Sequence, residues 1–369
     1  MSRRNSSLPS ARWLLILLLL PVAGLLLLLA APASTSAGAP LALEQTLAYR
    51  MLKREQAVRT IPASVEPLLQ AVLEEGLAAL GPDPVPPTTA EEFRVFAESV
   101  SIAMAKRNFV QPGKVRDWPD TIGEAFLPVQ RGDRRAADAL ANDAAGRLGH
   151  VAATGPLYLV DCDIGSMLII SMAQMAGFEV AMVEVPGHNF LRWQGPSGAS
   201  ASWDWTYWKQ RRDSEWRHLH GALLSRKVFL DSQTLQQTEG YFKSVLAAKV
   251  DLQPAKLTLR REAASQFPNN RVVAHGVART FALSSAASAR DRKEALGYGL
   301  LALSMEGHGD PESIAHRFAV VACAYAGNGD RTLARAFAQR AVEDAGGESE
   351  RPYRANLEAI EAGRTCPPS

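Results

Sequence analysis

The stretch from Tyr158 to Thr206 constrains the fold most, because helix and strand patterns follow one another there over very short connections. Apolar residues after Cys162 recur mostly at three- and four-residue spacing, and Gly177 stands where a helix typically stops. The pattern therefore predicts a buried helix with Cys162 in its first turn.

Three strand patterns come after this helix. Phe178–Val185 is rich in Val, Phe and Met, His188–Trp193 follows a Pro-Gly turn, and Trp203–Trp208 follows a second turn signal. The segment before Cys162 is mostly helical in pattern. We therefore expect an α+β fold in which the helix that carries Cys162, called the nucleophile helix below, packs on an antiparallel sheet.

The register of the second hairpin decides which side chains meet. If its loop is Gly195–Ser197, antiparallel counting pairs His188 with Asp204, and the two side chains share one face of the sheet. A loop one residue longer pairs His188 with Trp205 instead and spoils the arrangement.

Cys162, His188 and Asp204 are the candidate catalytic residues. A cysteine nucleophile must lose its proton, a histidine accepts it, and a carboxylate fixes the tautomer and orientation of the histidine. Taken singly, each residue type is more often structural. The three in this order and context form a far more specific signal.

A helix start affects the chemistry of a cysteine in opposing ways. Free backbone N–H groups and the positive end of the helix dipole favour a thiolate and stabilise an oxyanion. Asp161 and Asp163, which flank Cys162, act in the opposite sense. Asp161 is alternatively the N-cap of the helix.

The order of these elements resembles the transglutaminase-like superfamily, the circularly rearranged relatives of papain-type cysteine proteases. The matching features are Cys162, the helix to Gly177, Val185-Pro186-Gly187-His188 with Phe190 and Arg192 after it, and Trp203-Asp204-Trp205-Thr206. The resemblance implies a transglutaminase-like (papain-like) domain with a Cys-His-Asp triad. Asp161 and Trp205 depart from the family pattern, in which a small residue and a proline are commoner.

Residues 1–39 are predicted to be a signal peptide or an N-terminal membrane anchor. Arginines precede an apolar run from Trp13 to Ala31, which is longer than a usual signal core and just long enough to span a bilayer. In either case we expect the body of the chain to be exported to the periplasm or cell envelope.

We assign residues 40–250 to the transglutaminase-like domain, 251–270 to a polar hinge, and 271–369 to a helical region. The helical region is rich in alanine and its second half resembles the tetratricopeptide pattern, with Gly329-Asp330 as a turn. Two repeats are fewer than an independent solenoid usually needs. A peptide-binding surface for a protein partner and a helical buttress are both open interpretations.

Charge and metal-ligand patterns give little further direction. The net charge of +2 offers no electrostatic reason to expect nucleic acid as a partner. His218 and His220 would share one face of a strand, with Asp213 and Glu215 near, but two histidines without a third fixed ligand are a weak metal signal. We expect no metal and no cofactor.

Cysteine usage fits export only loosely. The chain has three cysteines, which imply no disulfide framework. Cys323 is expected to be packed within a helix, and Cys366 lies in the tail. A catalytic Cys162 has to stay reduced, so a disulfide at Cys162 would argue against an enzyme.

The sequence therefore favours an exported cysteine-dependent acyl-transfer enzyme, a peptidase or amidase or a transglutaminase, that acts on protein or cell-envelope substrates. Hydrolysis is the simpler outcome, because water is always available and the sequence shows no amine site. The alternative is a non-catalytic transglutaminase-like scaffold of the cell envelope.

Overall fold

Helices make up most of the described residues, and a few short strands lie among them. The structure is a computed structural model that describes residues 38–112, 118–141, 149–196, 198–221, 229–305 and 311–367. The predicted targeting segment therefore lies almost entirely outside the described residues. Within those ranges, no helix combines the length and apolar character needed to cross a membrane. The fold is mixed α+β and mostly helical, as the sequence predicts.

The part of the chain before Cys162 is helical, as expected. Its helices are α1 (Leu47–Gln56), α2 (Val65–Ala78), α3 (Ala90–Lys106), α4 (Ile122–Ala125) and α5 (Arg134–Ala141). A capping box starts α3: Thr89 Oγ1 accepts from the Glu92 amide at 3.1 Å, and the Glu92 carboxylate accepts from the Thr89 amide at 3.1 Å.

Helix α3 ends at Lys106, shortly before the chain changes to an extended conformation. Asn108 adopts a φ of 65°, a left-handed conformation that an α-helix cannot continue through. The next residues form strand β1 (Phe109–Val110), which pairs in parallel with β2 (Tyr158–Leu159). This short pair leads the chain directly to Cys162.

Helix α6 (Cys162–Met175) is the predicted nucleophile helix. Asp161 is its N-cap, since its side chain accepts a hydrogen bond from the Ile164 amide at 2.8 Å. The helix ends before Gly177, which has a φ of 80°. Both boundaries agree with the sequence prediction.

Strands β3 (Ala181–Val185), β4 (His188–Gln194) and β5 (Ser200–Trp203) form an antiparallel sheet in the order β3-β4-β5. The first two strands lie within or close to their predicted ranges. The predicted third strand over Trp203–Trp208 is wrong, because β5 ends where that range begins.

The predicted hairpin register is also wrong. Leu191 pairs with Trp203 and Gln194 with Ser200, so the loop between β4 and β5 is longer than the expected Gly195–Ser197. Counting back along β4 places Thr206, rather than Asp204, opposite His188. The displacement is two residues, and an even displacement keeps each side chain on the same face of the sheet.

The remaining helices follow the sheet. They are α7 (Asp213–His220), α8 (Leu235–Ala248), α9 (Gln253–Gln266), α10 (Arg271–Leu283), α11 (Ala289–Ser304), α12 (Pro311–Gly327), α13 (Arg331–Ala345) and α14 (Arg351–Glu361).

Helix α9 fills most of the segment 251–270, which the sequence predicts to be a polar hinge. Pro254 lies in the first turn of α9, where its missing N–H costs nothing. Asn270 caps α10 by accepting from the Val272 and Val273 amides, and its Nδ2 donates to Glu184 Oε2 at 2.6 Å. All described residues belong to one compact unit, and separate domains on either side of the hinge stay a prediction.

A disulfide joins Cys323 of α12 to Cys366 in the tail. The expectation that Cys323 is only a packed residue is therefore corrected, and Cys162 is left as the free cysteine of the described chain. The sequence could not pair the two, because α13 and α14 lie between them and their packing brings the cysteines together.

We predict that the double variant Cys323→Ser/Cys366→Ser is less stable than the parent protein. The bond closes a loop with a sequence separation of 43, and a loop of that size contributes up to about 4 kcal/mol by constraining the unfolded chain. Urea denaturation measures the loss. The matched control Cys162→Ser, which breaks no disulfide, should unfold near the parent midpoint. Equal midpoints for all three proteins would contradict the prediction.

Candidate functional site

Cys162 is the first residue of α6 and is only 8% exposed. Its thiol makes a side-chain hydrogen bond to Asp163 Oδ1 at 3.6 Å rather than to His188. The backbone amide of Asn189, the residue after His188, donates to the Cys162 sulfur. The start of β4, where His188 lies, is therefore packed against the start of α6, where Cys162 lies.

His188 and Asp204 are in direct contact. His188 Nε2 lies 3.0 Å from Asp204 Oδ1. A carboxylate only accepts, so Nε2 is the donor and Nδ1 is left to receive a proton. Asp204 Oδ1 also accepts from the backbone amides of Thr206 at 3.0 Å and Tyr207 at 3.4 Å. The carboxylate is thus fixed by its own turn before it meets the imidazole.

His188 and Asp204 are in contact although they are not paired across the sheet, because Asp204 lies just beyond the end of β5. After Trp203 the chain makes a turn that is closed by backbone hydrogen bonds between Asp204 and Lys209. In this turn Trp208 has a φ of 50°, which is uncommon for a bulky residue. The turn directs the Asp204 side chain back to the first residue of β4.

Helix α6 also holds this turn in place. A Cβ atom at Gly165 would lie 2.3 Å from the indole of Trp205, so the indole packs against the helix only because Gly165 has no side chain. Trp205 is 1% exposed. The tryptophan that departs from the family pattern therefore packs the Asp204 turn onto the helix that carries Cys162.

A hydrogen-bonded network surrounds Asp163, and sequence analysis missed its other members. Tyr241 Oη donates to Asp163 Oδ2 at 2.7 Å, and Asn189 Nδ2 donates to Asp163 Oδ1. Tyr241 lies on α8, far away in sequence. A buried tyrosine in a helix is usually a packing residue, so no sequence signal distinguished it.

Burial and this network together affect the protonation of Cys162. Burial raises the pKa of the Cys162 thiol well above its usual value, and the charges of Asp163 and Asp161 raise it further. Burial also raises the pKa of Asp163, while the hydrogen bonds from Tyr241 and Asn189 oppose that rise. In the resting protein at neutral pH, Cys162 is therefore a thiol and not a thiolate.

Aromatic rings enclose the outer side of His188, whose side chain is 14% exposed. Its ring centroid lies 5.4 Å from that of Trp216 and 6.0 Å from that of Tyr207. Trp216 in turn stacks on Phe190 at 5.0 Å. These contacts restrict rotation of the imidazole, and sequence analysis did not assign Trp216 or Tyr207 to the site.

His218 and His220 lie on helix α7 and not on a strand. Residues two apart on a helix do not face each other, so the shared face that was expected for a metal pair does not form. Among the residues that the structure describes, no group of three or more His, Cys, Asp or Glu side chains is arranged to hold a metal ion.

No family model, curated protein or solved structure matches this chain. The site is therefore interpreted from its own geometry.

We predict that Gly165→Ala destabilises the protein, by about 1–3 kcal/mol, because the new methyl group overlaps the Trp205 indole. The matched control is Gly297→Ala in α11, where nothing lies within 4 Å of the added Cβ, and it should be neutral or stabilising by up to about 1 kcal/mol. Thermal unfolding followed by near-UV circular dichroism measures both. A Gly165→Ala protein as stable as the control would show that Trp205 does not pack on the helix as described.

We predict that Asp163→Asn makes Cys162 more reactive at neutral pH. Removal of the charge that most raises the thiol pKa lowers that pKa, and each unit of decrease gives about tenfold more thiolate. The rate of iodoacetamide alkylation between pH 6 and 10 measures the change. Asp161→Asn should act in the same direction but less, because the charge of Asp161 raises the thiol pKa less than that of Asp163. Asparagine can still cap the helix, so this variant should fold. A slower or unchanged rate in Asp163→Asn would refute the electrostatic explanation.

Proposed function

We propose that this protein is a cysteine-dependent acyl-transfer enzyme with a transglutaminase-like fold and a Cys162-His188-Asp204 triad. The observation that carries the proposal is the 3.0 Å contact between His188 Nε2 and Asp204 Oδ1, beside a free cysteine at a helix N-terminus. The contact fixes the histidine tautomer that a general base requires.

In the proposed reaction, His188 Nδ1 takes the proton of the Cys162 thiol as sulfur attacks the carbonyl carbon of an amide. The tetrahedral oxyanion is stabilised by backbone N–H groups at the start of α6. Its collapse breaks the C–N bond, and the imidazolium protonates the leaving amine. Water, activated by His188, then attacks the thioester, which releases the acid and restores the thiol.

General-base catalysis suits this site better than a preformed thiolate. The thiol is protonated at rest, because burial and two flanking carboxylates raise its pKa. Proton transfer must then accompany attack, and this requires an imidazole whose Nδ1 is held unprotonated. Hydrolysis remains the preferred outcome over transamidation, since water is always available and no site for an acceptor amine was identified in the sequence.

Export to the periplasm or cell envelope is part of the proposal, and protein or cell-envelope substrates follow from it. The Cys323–Cys366 disulfide supports an oxidising compartment, where such bonds persist. The C-terminal helices offer a location for a protein partner. A groove of about 680 Å³ between α9, α10 and α11 is lined by residues that include Phe281, Tyr298 and Arg261.

A non-catalytic scaffold of the cell envelope is the second candidate. The observation that favours it is the contact of the Cys162 thiol with Asp163 rather than His188, which leaves the thiol protonated in a buried position. A scaffold needs no reactive cysteine, and the exposed ring of Tyr207, at 49%, would then belong to a binding face.

We predict that 4-nitrophenyl acetate acetylates Cys162 and that hydroxylamine then releases acetohydroxamate. Intact-mass spectrometry should show the gain of one acetyl group, absent in Cys162→Ser. His188→Ala should slow acylation on the order of a hundredfold or more, while the control variant of the exposed His218, His218→Ala, should react normally.

Peptide 4-nitroanilides then test amide cleavage, and an added primary amine tests transamidation. A protein that is never acylated at Cys162, or a His188→Ala variant as fast as the parent, would favour the scaffold. Release of a peptide acid rather than a peptide amide would establish hydrolysis as the main outcome.

A further inference from the structure

Arg211 lies beside the triad, although no sequence pattern marks it. Its Nε is 3.4 Å from Asp204 Oδ2, and its side chain is only 12% exposed. The Asp204 side chain is fully buried, at 0%. A buried carboxylate is costly without compensating charge or hydrogen bonds, so the placement of a guanidinium beside it has a physical consequence.

The two carboxylate oxygens of Asp204 meet different groups. Oδ1 accepts hydrogen bonds from His188 Nε2 and from the backbone amides of the turn, whereas Oδ2 lies next to the Arg211 guanidinium. The imidazole and the guanidinium therefore contact opposite oxygens of one carboxylate. The contact at Oδ2 is an ion pair without hydrogen-bond geometry, so Arg211 acts on the carboxylate through its charge.

Arg211 is itself held by aromatic rings. Its guanidinium carbon lies 4.8 Å from the centroid of Tyr207 and 4.9 Å from that of Trp216. Ser202 Oγ donates to the backbone carbonyl of Arg211 and ties it to β5. Both rings also contact His188, so the same aromatic pair positions the cation and the imidazole.

We propose that Arg211 is a positioning residue of the triad: its guanidinium pairs with the second oxygen of Asp204 and offsets part of the negative charge that the carboxylate presents to His188. The proposal rests on the proposed function in that His188 is taken as the base. Without Arg211, the undiminished charge of Asp204 would favour an imidazolium, which accepts no proton from Cys162.

Other charged or titratable groups also act on His188. The positive charge of a protonated His188 favours the ionised form of Asp163 and so opposes the rise in the Asp163 pKa. His220 and Cys162 are further titratable groups nearby. Burial lowers the pKa of His220, and the charge of His188 lowers it further. The groups that face His188 from α6, α7 and the Asp204 turn are Cys162, Asp163, Asp204, Tyr207, Arg211 and His220.

The test is an NMR titration of the His188 ring in the full-length protein labelled with ¹³C-histidine, with the resonance assigned by its loss in His188→Ala. In Arg211→Gln, proton uptake by His188 should move to higher pH by about one unit. Arg211→Lys, which keeps the charge, should stay closer to the parent, and Arg212→Gln, at an exposed neighbouring arginine, should not shift. In an Asp204→Asn background the Arg211→Gln shift should be smaller, because only the direct repulsion between the guanidinium and the imidazolium is then removed.

A folded Arg211→Gln protein whose His188 titrates as in the parent would overturn the proposal, and so would a shift of full size in the Asp204→Asn background. If Arg211→Gln does not fold, Tyr207→Leu removes one of the rings that hold the guanidinium, and a smaller upward shift is expected. No shift in that folded variant would equally overturn it. The titration needs no substrate, so failure of acylation at Cys162 would refute the enzyme while leaving this result interpretable.

Discussion

Burial of helix α6 is the constraint on which the rest of the structure depends. Every residue from Ile164 to Gln174 is buried. A helix in that position must find hydrogen-bond partners for its ends inside the protein, and Asp161 supplies one at the start. Side chains of α6 also accept hydrogen bonds from the first amides of α1. Gln174 Oε1 accepts from the Leu47 amide at 2.8 Å, and Ser171 Oγ accepts from the Ala48 amide at 2.9 Å. One buried helix thus completes the start of another.

The same burial decides the chemistry of Cys162. A helix N-terminus stabilises an anion by typically 0.3–1 kcal/mol, and by up to about 2 in partly buried sites. Removing a charge from water costs several kcal/mol. Desolvation is accordingly the largest influence on the thiol pKa, and Asp163 and Asp161 add to it. The stabilisation by the helix dipole is therefore smaller than the cost of desolvation, and the position of Cys162 at a helix start does not by itself produce a thiolate.

The parts of this fold that sequence predicts correctly are local. Asp161 as N-cap and Gly177 as helix end depend on a few neighbouring residues. The predicted hairpin register is wrong because nothing local fixes how many residues the loop takes. Helix α9 fills most of the predicted hinge because a proline such as Pro254 is tolerated in the first turn of a helix. Tyr241 and Arg211 escaped notice because their roles depend on contacts between elements distant in the chain. The domain division and the catalytic roles of the three site residues stay predictions.

The contact between His188 and Asp204 is therefore specified by tertiary packing and not by strand pairing. Asp204 lies outside the ladder of β5, in a turn that needs a positive φ at Trp208. Such a strained conformation persists only where several contacts with the surrounding structure hold it in place. Here the Trp205 indole against Gly165 fixes the turn to α6. The helix that carries Cys162 therefore also locates the turn whose carboxylate contacts His188.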